Sequence, residues 1–160
     1  MINLPNHIHM LLYHRHKTFR IGDVEIRIRT PKDLGKFTDS DDQVLAEKIS
    51  KDALPLFGIV WESSEVLSHL MLEHDIEGKR ILEGGCGMAL TSHLLNSRGA
   101  YITAMDIHPV TADLIVSNVE LNNTRPIPFV NASWSDDASD LGKFDLIVGS
   151  DVLYEPKHSK

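Results

Sequence analysis

The sequence predicts an α/β fold with a doubly wound, mostly parallel sheet. Three observations support this prediction: strands and helices alternate from residue 79 onward, a glycine-rich turn follows the first of these strands, and an acidic residue ends the second. Alternation at this spacing is typical of parallel sheets with right-handed crossovers. The turn and the acid lie where such sheets bind nucleotide-like ligands, so the fold class already indicates a candidate site.

The composition is that of one ordinary globular domain. The chain has 160 residues, 42% of them hydrophobic and 24% charged, and its formal net charge is −7. A surface of this sign disfavours binding to nucleic acid or to an anionic membrane through bulk electrostatics. The single cysteine, Cys86, excludes a disulfide within the chain and favours a reducing compartment. We therefore expect a cytoplasmic protein.

Residues 1–17 are expected to form a histidine-rich leader, and residues 18–160 a single domain. The apolar run in the leader, residues 10–13, is too short for a signal peptide or a membrane span. No cysteine or carboxylate joins the leader histidines at the usual ligand spacing, so no metal site is predicted. These histidines are His7, His9, His14 and His16.

Residues 18–78 are predicted to be an extension that precedes the core. Apolar and charged residues alternate over residues 18–30, and Gly22-Asp23 lies where the alternation shifts, which indicates a β-hairpin. A short helix is expected after Thr38, and the segment Leu54–Trp61 interrupts it. A longer helix is expected from Ser63 to near Gly78, with Val66, Leu67, Leu70 and Met71 on its inward face.

Residues 79–160 are predicted to form the Rossmann-like core. Its strands are expected at Ile81–Glu83, Tyr101–Asp106, Ile127–Val130 and Phe144–Ser150. One helix is expected over Met88–Arg98, closed by Gly99. Another is expected to start with Pro109 at its first position and to end near Asn122-Asn123, with Val110, Leu114, Ile115 and Val119 inward. His69, His74 and His93 are expected on helix surfaces.

The fourth predicted strand has no fifth strand after it in this sequence. Its residues are as apolar as those of an internal strand, and an uncovered apolar edge is a liability that natural proteins manage. We therefore expect either a fragment that lacks the C-terminal strands or an edge that pairs with another chain.

The glycine turn has the pattern Glu83-x-Gly85-x-Gly87-x-Ala89. The dinucleotide-binding fingerprint would place a third glycine at position 90, where this chain has leucine, so a dehydrogenase is disfavoured. The pattern instead resembles the first motif of the class I methyltransferases that use S-adenosylmethionine. Their last small position is usually glycine but tolerates alanine.

Asp106 ends the second core strand, about 20 positions after Gly85. A carboxylate at this interval accepts hydrogen bonds from the vicinal hydroxyls of a ribose. On its own, such an aspartate would more often cap the next helix; next to the glycine turn it indicates a ribose contact. His108 follows closely, and the sequence assigns it no role.

Two further stretches narrow the resemblance. Val60–Leu67 and Phe144–Tyr154 together look like the seven-β-strand protein lysine methyltransferases that carry an Asp-x-x-Tyr motif, here Asp151-Val-Leu-Tyr154. The N-terminal hairpin also matches that group, and the resemblance extends from about Phe19 to the end. Strands five to seven of the family's sheet do not follow the motif in this sequence.

The resemblance implies a cofactor and a set of roles. S-adenosylmethionine would be bound by Glu83, Gly85, Gly87, Asp106, Ser150 and the two tryptophans, with Trp134 against adenine and Trp61 closing over the cofactor. Asp151 and Tyr154 would be catalytic, because a lysine amine with a pKa near 10.4 must be held as the free base. Asp151 would anchor the amine, and Tyr154 would orient its lone pair.

Three functions remain open from the sequence. The first is methylation of a lysine on a protein partner, and the second is N-methylation of a small amine or heterocycle with the same cofactor. The third is a cofactor-binding module without turnover, joined to an oligomer or a partner at the edge of the fourth strand. Nucleic acid is disfavoured as a substrate, because Val152-Leu153 replaces the two prolines of the nucleobase amino methyltransferases.

Overall fold

The computed structural model describes residues 14–32, 57–133, 136–137 and 139–152. In chain order these residues form β1 (His14–Ile21), β2 (Val24–Pro31), α1 (Glu62–Leu72), β3 (Arg80–Gly84), α2 (Leu90–Ser97), β4 (Tyr101–Asp106), α3 (Thr111–Asn122), β5 (Phe129–Asn131), a 3-10 turn (Ser139–Leu141) and β6 (Leu146–Val148). The helix expected after Thr38, Trp134, Tyr154 and the leader up to residue 13 lie outside the described residues.

The core is a four-stranded parallel sheet in the order β5-β4-β3-β6. The predicted α/β class and the parallel sheet are confirmed. The chain moves outward from β3 to β4 to β5 and then returns to the other side of β3, so the strand order reverses between β3 and β6. Open sheets of this kind bind ligands at that reversal, beyond the carboxyl ends of the strands.

The bounds of the core elements differ from the predictions by a few residues. The strand Tyr101–Asp106 has the predicted bounds, whereas β5 and β6 are shorter than expected. Pro109 lies two residues before α3 instead of at its first helical position. The helix ends as predicted, since Asn123 caps it in the left-handed region with φ of 51°.

The inward face of α1 was predicted correctly for Leu67 and Met71, which pack on the core, and wrongly for Val66 and Leu70. Val66 and Leu70 are 59% and 68% exposed, whereas Ser64, Ser68 and Met71 are buried. The reason is a close helix contact: the hydroxyls of Ser68 and Thr91 lie 3.1 Å apart, and Ser68 also donates to the carbonyl of Ser64. Small hydroxyl side chains allow α1 to approach α2, so the apolar residues on the other side face outward.

The helices α1, α2 and α3 of the described residues lie on one face of the sheet. Met71 of α1 and Leu95 of α2 pack on Ile81 and Ile102, which are paired in the sheet, and α3 packs on the same face through Ala104. On the opposite face Leu82 and Met105 are buried, but Tyr101 and Ile147 are 66% and 63% exposed. In the part of the chain that the structure describes, no helix covers this second face.

The predicted hairpin is confirmed, with Gly22 and Asp23 at its turn and β1 paired antiparallel with β2. Its first strand begins at His14, inside the segment expected to be leader. The inner face of the hairpin contributes Phe19, Ile21, Ile26 and Ile28 to a buried cluster that also contains Leu90, Leu94 and Leu114. The hairpin therefore covers α2 and α3 and belongs to the same core.

His93 lies in the core, contrary to its expected surface position. It is 1% exposed, and neither ring nitrogen has a hydrogen-bond partner. Burial lowers the pKa of His93 to about 4, so the ring is neutral near pH 7. His69 and His74 are exposed, as expected.

No helix among the described residues is long and apolar enough to cross a membrane.

Candidate functional site

The glycine turn connects β3 to α2 at the carboxyl edge of the sheet. Gly85 and Gly87 have φ of 61° and 50°, in the left-handed region that glycine adopts without a Cβ penalty. A Cβ on Gly87 would lie 3.2 Å from the carbonyl oxygen of Phe57. Ala89, which precedes α2, is also left-handed, with φ of 56°. The left-handed conformation of Ala89 is strained and persists only because the surrounding structure holds it, as in many ligand-binding turns.

Glu83 lies beneath the turn and fixes its geometry. It is 2% exposed, and its Oε2 accepts a hydrogen bond from the backbone N–H of Ser92 at 2.7 Å and another from the Ser92 hydroxyl. Because Ala89 offers no side-chain cap, the carboxylate of β3 satisfies an N–H in the first turn of α2. Burial raises the pKa of Glu83 to about 7, although the Ser92 hydrogen bonds oppose the shift.

Asp106 joins the end of β4 to the same turn. Its Oδ2 accepts a hydrogen bond from the N–H of Gly87 at 2.8 Å, and its Oδ1 accepts one from the N–H of His108 at 2.9 Å. Burial raises the pKa of Asp106, while the backbone donors of His108 and Gly87 act in the opposite direction. A carboxylate offers about four acceptor positions, so these backbone donors do not use all of its acceptor capacity.

Cys86, between the two glycines, is a structural residue. Its side chain is buried among Ala89, Ala104 and Ile115, and its N–H donates to the carbonyl of Met105 at 3.0 Å. Burial raises the pKa of the Cys86 thiol well above its usual value, with the Asp106 carboxylate adding to the shift. Since the thiolate is the nucleophilic form, this thiol is unreactive at neutral pH.

The end of β6 forms the other side of the site. A Cβ on Gly149 would lie 2.9 Å from the carbonyl oxygen of Gly84, so glycine allows the chain to leave β6 directly beside β3. Ser150 and Asp151 follow, and Asp151 has φ of 52°. The Ser63 hydroxyl donates to Oδ2 of Asp151 at 2.5 Å, which ties this segment to the first turn of α1.

The structure therefore brings together most of the residues predicted from the sequence. Glu83, Gly85, Gly87 and Asp106 meet in one turn, and Ser150 and Asp151 follow the adjacent strand. Trp61, which precedes α1, is 42% exposed and lies four positions after Phe57. Their roles in binding stay predictions, as do those of Trp134 and Tyr154, which lie outside the described residues.

Three residues of this region were not predicted from the sequence, namely Ser63, Ser92 and Phe57, and His108 had been given no role. Ser92 bonds Glu83, Ser63 bonds Asp151, and Phe57 stacks on His108 beside the turn. Serine at a helix start is a weak signal, because it usually caps its own helix. Nothing in the sequence indicated Phe57, whose contact with His108 joins two segments distant along the chain.

A groove of about 670 Å³ lies at the other end of the strands, where β3 and β4 begin. It is bordered by the segment between α1 and β3, by the end of α2 and by the start of β4, and it contains none of the predicted site residues. The Arg98 guanidinium is held there by the carbonyls of Met71 and His74. Open parallel sheets bind at the carboxyl ends of their strands, so we place the candidate site at the glycine turn.

A family of known proteins has the same sequence pattern. The model of the lysine methyltransferase family matches residues 41–159, which include every element from α1 to β6 and all the predicted site residues. The chain belongs to this family.

Individual relatives agree with that assignment. The chain is 33% identical over 105 residues to histone-arginine methyltransferase METTL23 of Xenopus laevis, covering 61% of this chain and 45% of that protein. It is 30% identical over 104 residues to the electron transfer flavoprotein beta subunit lysine methyltransferase of Danio rerio, covering 63% and 40%. The chain thus spans less than half the length of either relative.

The fold also occurs in a solved methyltransferase. The crystal structure of Pyrococcus abyssi tRNA (uracil-54, C5)-methyltransferase, in complex with S-adenosyl-L-homocysteine, matches 82% of this chain with a TM-score of 0.50. The match covers 27% of that protein at 18% identity, so it shows a shared fold and no more. The predicted Rossmann-like class is confirmed by this match.

Proposed function

We propose that the protein transfers a methyl group from S-adenosylmethionine to a lysine side chain of a protein substrate. The observation that carries the proposal is the hydrogen bond from the Gly87 N–H to Asp106. It brings the glycine turn and the acid of the next strand into one unit, as a nucleoside site at the carboxyl edge of the sheet requires. The lysine methyltransferase family of the chain supplies the acceptor class.

The residues of the turn fit this cofactor. Gly85 is exposed and left-handed, so the backbone there can approach a ligand without a Cβ in the way. Asp106 keeps acceptor capacity beyond its backbone bonds, which a ribose hydroxyl can use. Glu83 holds the turn against α2 and would act by positioning it. When bound, S-adenosylmethionine supplies an electrophilic methyl group on a positively charged sulfur.

The acceptor side of the site is assigned to the segment after β6. A lysine amine is protonated near pH 7 and must lose its proton before it attacks the methyl carbon. Asp151 is exposed, and Ser63 engages one of its oxygens, which leaves acceptor capacity for the amine. We propose that Asp151 anchors the amine by a hydrogen bond and that Tyr154 orients its lone pair.

A methyl-transfer assay tests the proposal. The purified chain is incubated with methyl-labelled S-adenosylmethionine and a lysate of its source that has been depleted of small molecules. We expect label in a protein band, located on lysine by mass spectrometry, and loss of that label with Asp151→Asn. Label only in added small amines would favour a small-molecule N-methyltransferase. Cofactor binding without any transfer would favour a binding module without turnover.

Arginine is the second candidate acceptor. The relative from Xenopus laevis is a histone-arginine methyltransferase, and this chain is 33% identical to it. A guanidinium has a pKa well above that of an ammonium group, so it gives up its proton far less readily. We favour lysine because the matching family model is described by that acceptor. Methylarginine in the labelled product would establish the second candidate.

We further propose a cytoplasmic location and a partner at the free edge of β6. The buried Cys86 thiol is compatible with a reducing compartment. Among the described strands, β6 pairs only with β3, so its other edge carries backbone groups that a second chain can pair with. Subcellular fractionation tests the location; recovery of the protein in the secreted fraction would contradict it.

A further inference from the structure

Phe57 and His108 form a stacked pair beside the glycine turn. Their ring centroids lie 3.7 Å apart with an interplanar angle of 17°, and the two residues are 7% and 3% exposed. They come from separate segments: Phe57 precedes α1, whereas His108 lies between β4 and α3. The stack therefore connects the segment that leads to Trp61 with the segment that follows Asp106.

The backbones of both partners also lie beside the turn or beside Asp106, which bonds the turn. The carbonyl oxygen of Phe57 lies so close to Gly87 that a Cβ there would be 3.2 Å away, and the N–H of His108 donates to Asp106. Asp106 in turn accepts from the N–H of Gly87. The four residues thus form a closed ring of contacts, in which the stack is the one link made by side chains alone.

The His108 imidazole acts in this ring as a flat surface. Neither ring nitrogen has a hydrogen-bond partner, although both are buried. Burying an imidazole without partners costs free energy, so its polar atoms do not explain why the ring is there. Parallel stacking on Phe57 explains the position of the ring, because two planar rings at this separation make extensive dispersion contact. Burial lowers the pKa of His108 to about 4, which keeps the ring neutral near pH 7.

We propose that the Phe57–His108 stack is a positioning device for the cofactor, which holds the segment 57–61 against the glycine turn and so sets the approach of Trp61. This inference rests on the proposed function. It assigns a role to two residues that would not themselves bond the cofactor. It also fits glycine at position 87, where the backbone is left-handed and a Cβ would crowd the carbonyl of Phe57 at 3.2 Å.

Calorimetric titration with S-adenosylhomocysteine, on the full chain and matched variants, tests the proposal. His108→Phe keeps a flat ring and should bind within about twofold of the unchanged chain. His108→Asn keeps polar atoms but loses the ring, and Phe57→Leu keeps apolar bulk but loses planarity; each should raise the Kd at least fivefold. His74→Ala, at the far edge of the sheet, is the control and should bind normally.

The outcomes separate this inference from the proposed function. If the unchanged chain does not bind, the cofactor assignment fails. If it binds and His108→Asn and Phe57→Leu bind equally well, or His108→Phe loses binding as the asparagine variant does, the stack has no positioning role. Should His108→Asn fail to fold, Phe57→Leu and His108→Phe still decide. In the double variant Phe57→Leu/His108→Asn, a loss of binding affinity no greater than that of the weaker-binding single variant would show that the pair acts as one unit.

Discussion

At the scale of single residues, the site depends on acidic side chains that accept hydrogen bonds from backbone N–H groups. Glu83 bonds the start of α2, and Asp106 bonds the glycine turn from the neighbouring strand. Both acids are buried, and they accept hydrogen bonds from backbone N–H groups, Glu83 from Ser92 and Asp106 from Gly87 and His108. The turn is therefore held in shape by these acids before any ligand arrives.

Replacing Asp106 should weaken cofactor binding directly. Asp106→Ala removes the acceptor of the Gly87 N–H and the proposed ribose acceptor together. Hydrogen bonds to a charged group are worth about 1.5–3 kcal/mol, so we expect the Kd for S-adenosylhomocysteine to rise roughly 10- to 100-fold. Asp113→Ala, at an exposed position in the first turn of α3, is the control. An unchanged Kd for Asp106→Ala in calorimetry would remove Asp106 from the site.

Replacing Glu83 should change how stability depends on pH. The pKa of Glu83 is about 7 in the folded chain, compared with an ordinary value of 4.5 that applies to the unfolded chain. Between pH 4.5 and pH 7, the folded form therefore keeps a proton that the unfolded form releases. The resulting stabilisation is complete below about pH 4.5 and is lost as the pH rises through about 7, by about 3 kcal/mol in total. Glu83→Gln has no proton to lose, so this decline should vanish.

Urea denaturation at several pH values checks this sign. Between pH 5 and pH 8, the free energy of unfolding of the unchanged chain should fall relative to that of Glu83→Gln. The buried rings of His93 and His108, with pKa values of about 4, act in the opposite direction below about pH 6.5 and cancel in the comparison. Parallel curves for the two chains would contradict a raised pKa for Glu83.

At the scale of elements, the hairpin is fastened to α3 by asparagine side chains. Asn118 and Asn122 lie one helical turn apart, and each bonds both the N–H and the carbonyl of one β2 residue: Asn118 bonds Arg29, and Asn122 bonds Arg27. Each amide side chain makes the pair of hydrogen bonds that a residue of a neighbouring strand would make with β2. They satisfy the free edge of β2, which would otherwise be open to pairing with another chain.

The two asparagines should differ in their contribution to stability. Asn118 is fully buried, so Asn118→Ala leaves backbone groups of Arg29 without a partner and should cost about 1–3 kcal/mol. Asn122 bonds Arg27 in an exposed position, where water replaces the lost bonds, and Asn122→Ala should cost less than about 1 kcal/mol. Urea denaturation at pH 7 measures both. Equal costs, or a larger cost at Asn122, would contradict this account of the edge.

Sequence patterns predicted the elements well where one periodicity dominated. The hairpin, the strand Tyr101–Asp106 and the end of α3 at Asn123 follow from alternation and from turn-forming residues. The inward face of α1 was predicted only in part, because the pattern that included Val66 and Leu70 gave no sign that Ser68 would contact Thr91. Periodicity reports which residues are apolar, whereas helix approach depends on which are small.

The positions of some candidate site residues were also predicted from local sequence patterns, whereas others were not. Glycines and acids near strand ends are local signals, and they correctly brought Gly87 and Asp106 to one edge of the sheet. The contacts of Ser63 with Asp151 and of Phe57 with His108 join segments tens of residues apart. Only the folded chain shows such pairs, because no local pattern specifies them.

At the scale of the whole molecule, the residues that the structure describes cover one face of the sheet much less than the other. The helices and the hairpin lie on one side, and the other exposes Tyr101 and Ile147. Parallel sheets are usually covered on both faces. This surface adjoins the free edge of β6, so the same region offers both apolar contact and backbone pairing.

We expect this region to associate in solution. Ile147→Lys places a charge on the exposed face of an edge strand, a device by which natural proteins block strand pairing. Light scattering with size exclusion should show an oligomer for the unchanged chain and a smaller species for Ile147→Lys. Val116→Lys, at an exposed position of α3, should leave the oligomer intact. A monomer at all concentrations for the unchanged chain would contradict the expected association.

The most direct test of the whole account is the binding of S-adenosylhomocysteine to the unchanged chain. Titration calorimetry should show one site per chain, and amide spectra should show shifts at Gly85, Gly87 and the residues that follow β4 and β6. These are the positions at which the sheet presents its carboxyl ends. Absence of binding, or shifts confined to the groove beside Arg98 at the opposite edge, would contradict the central claim.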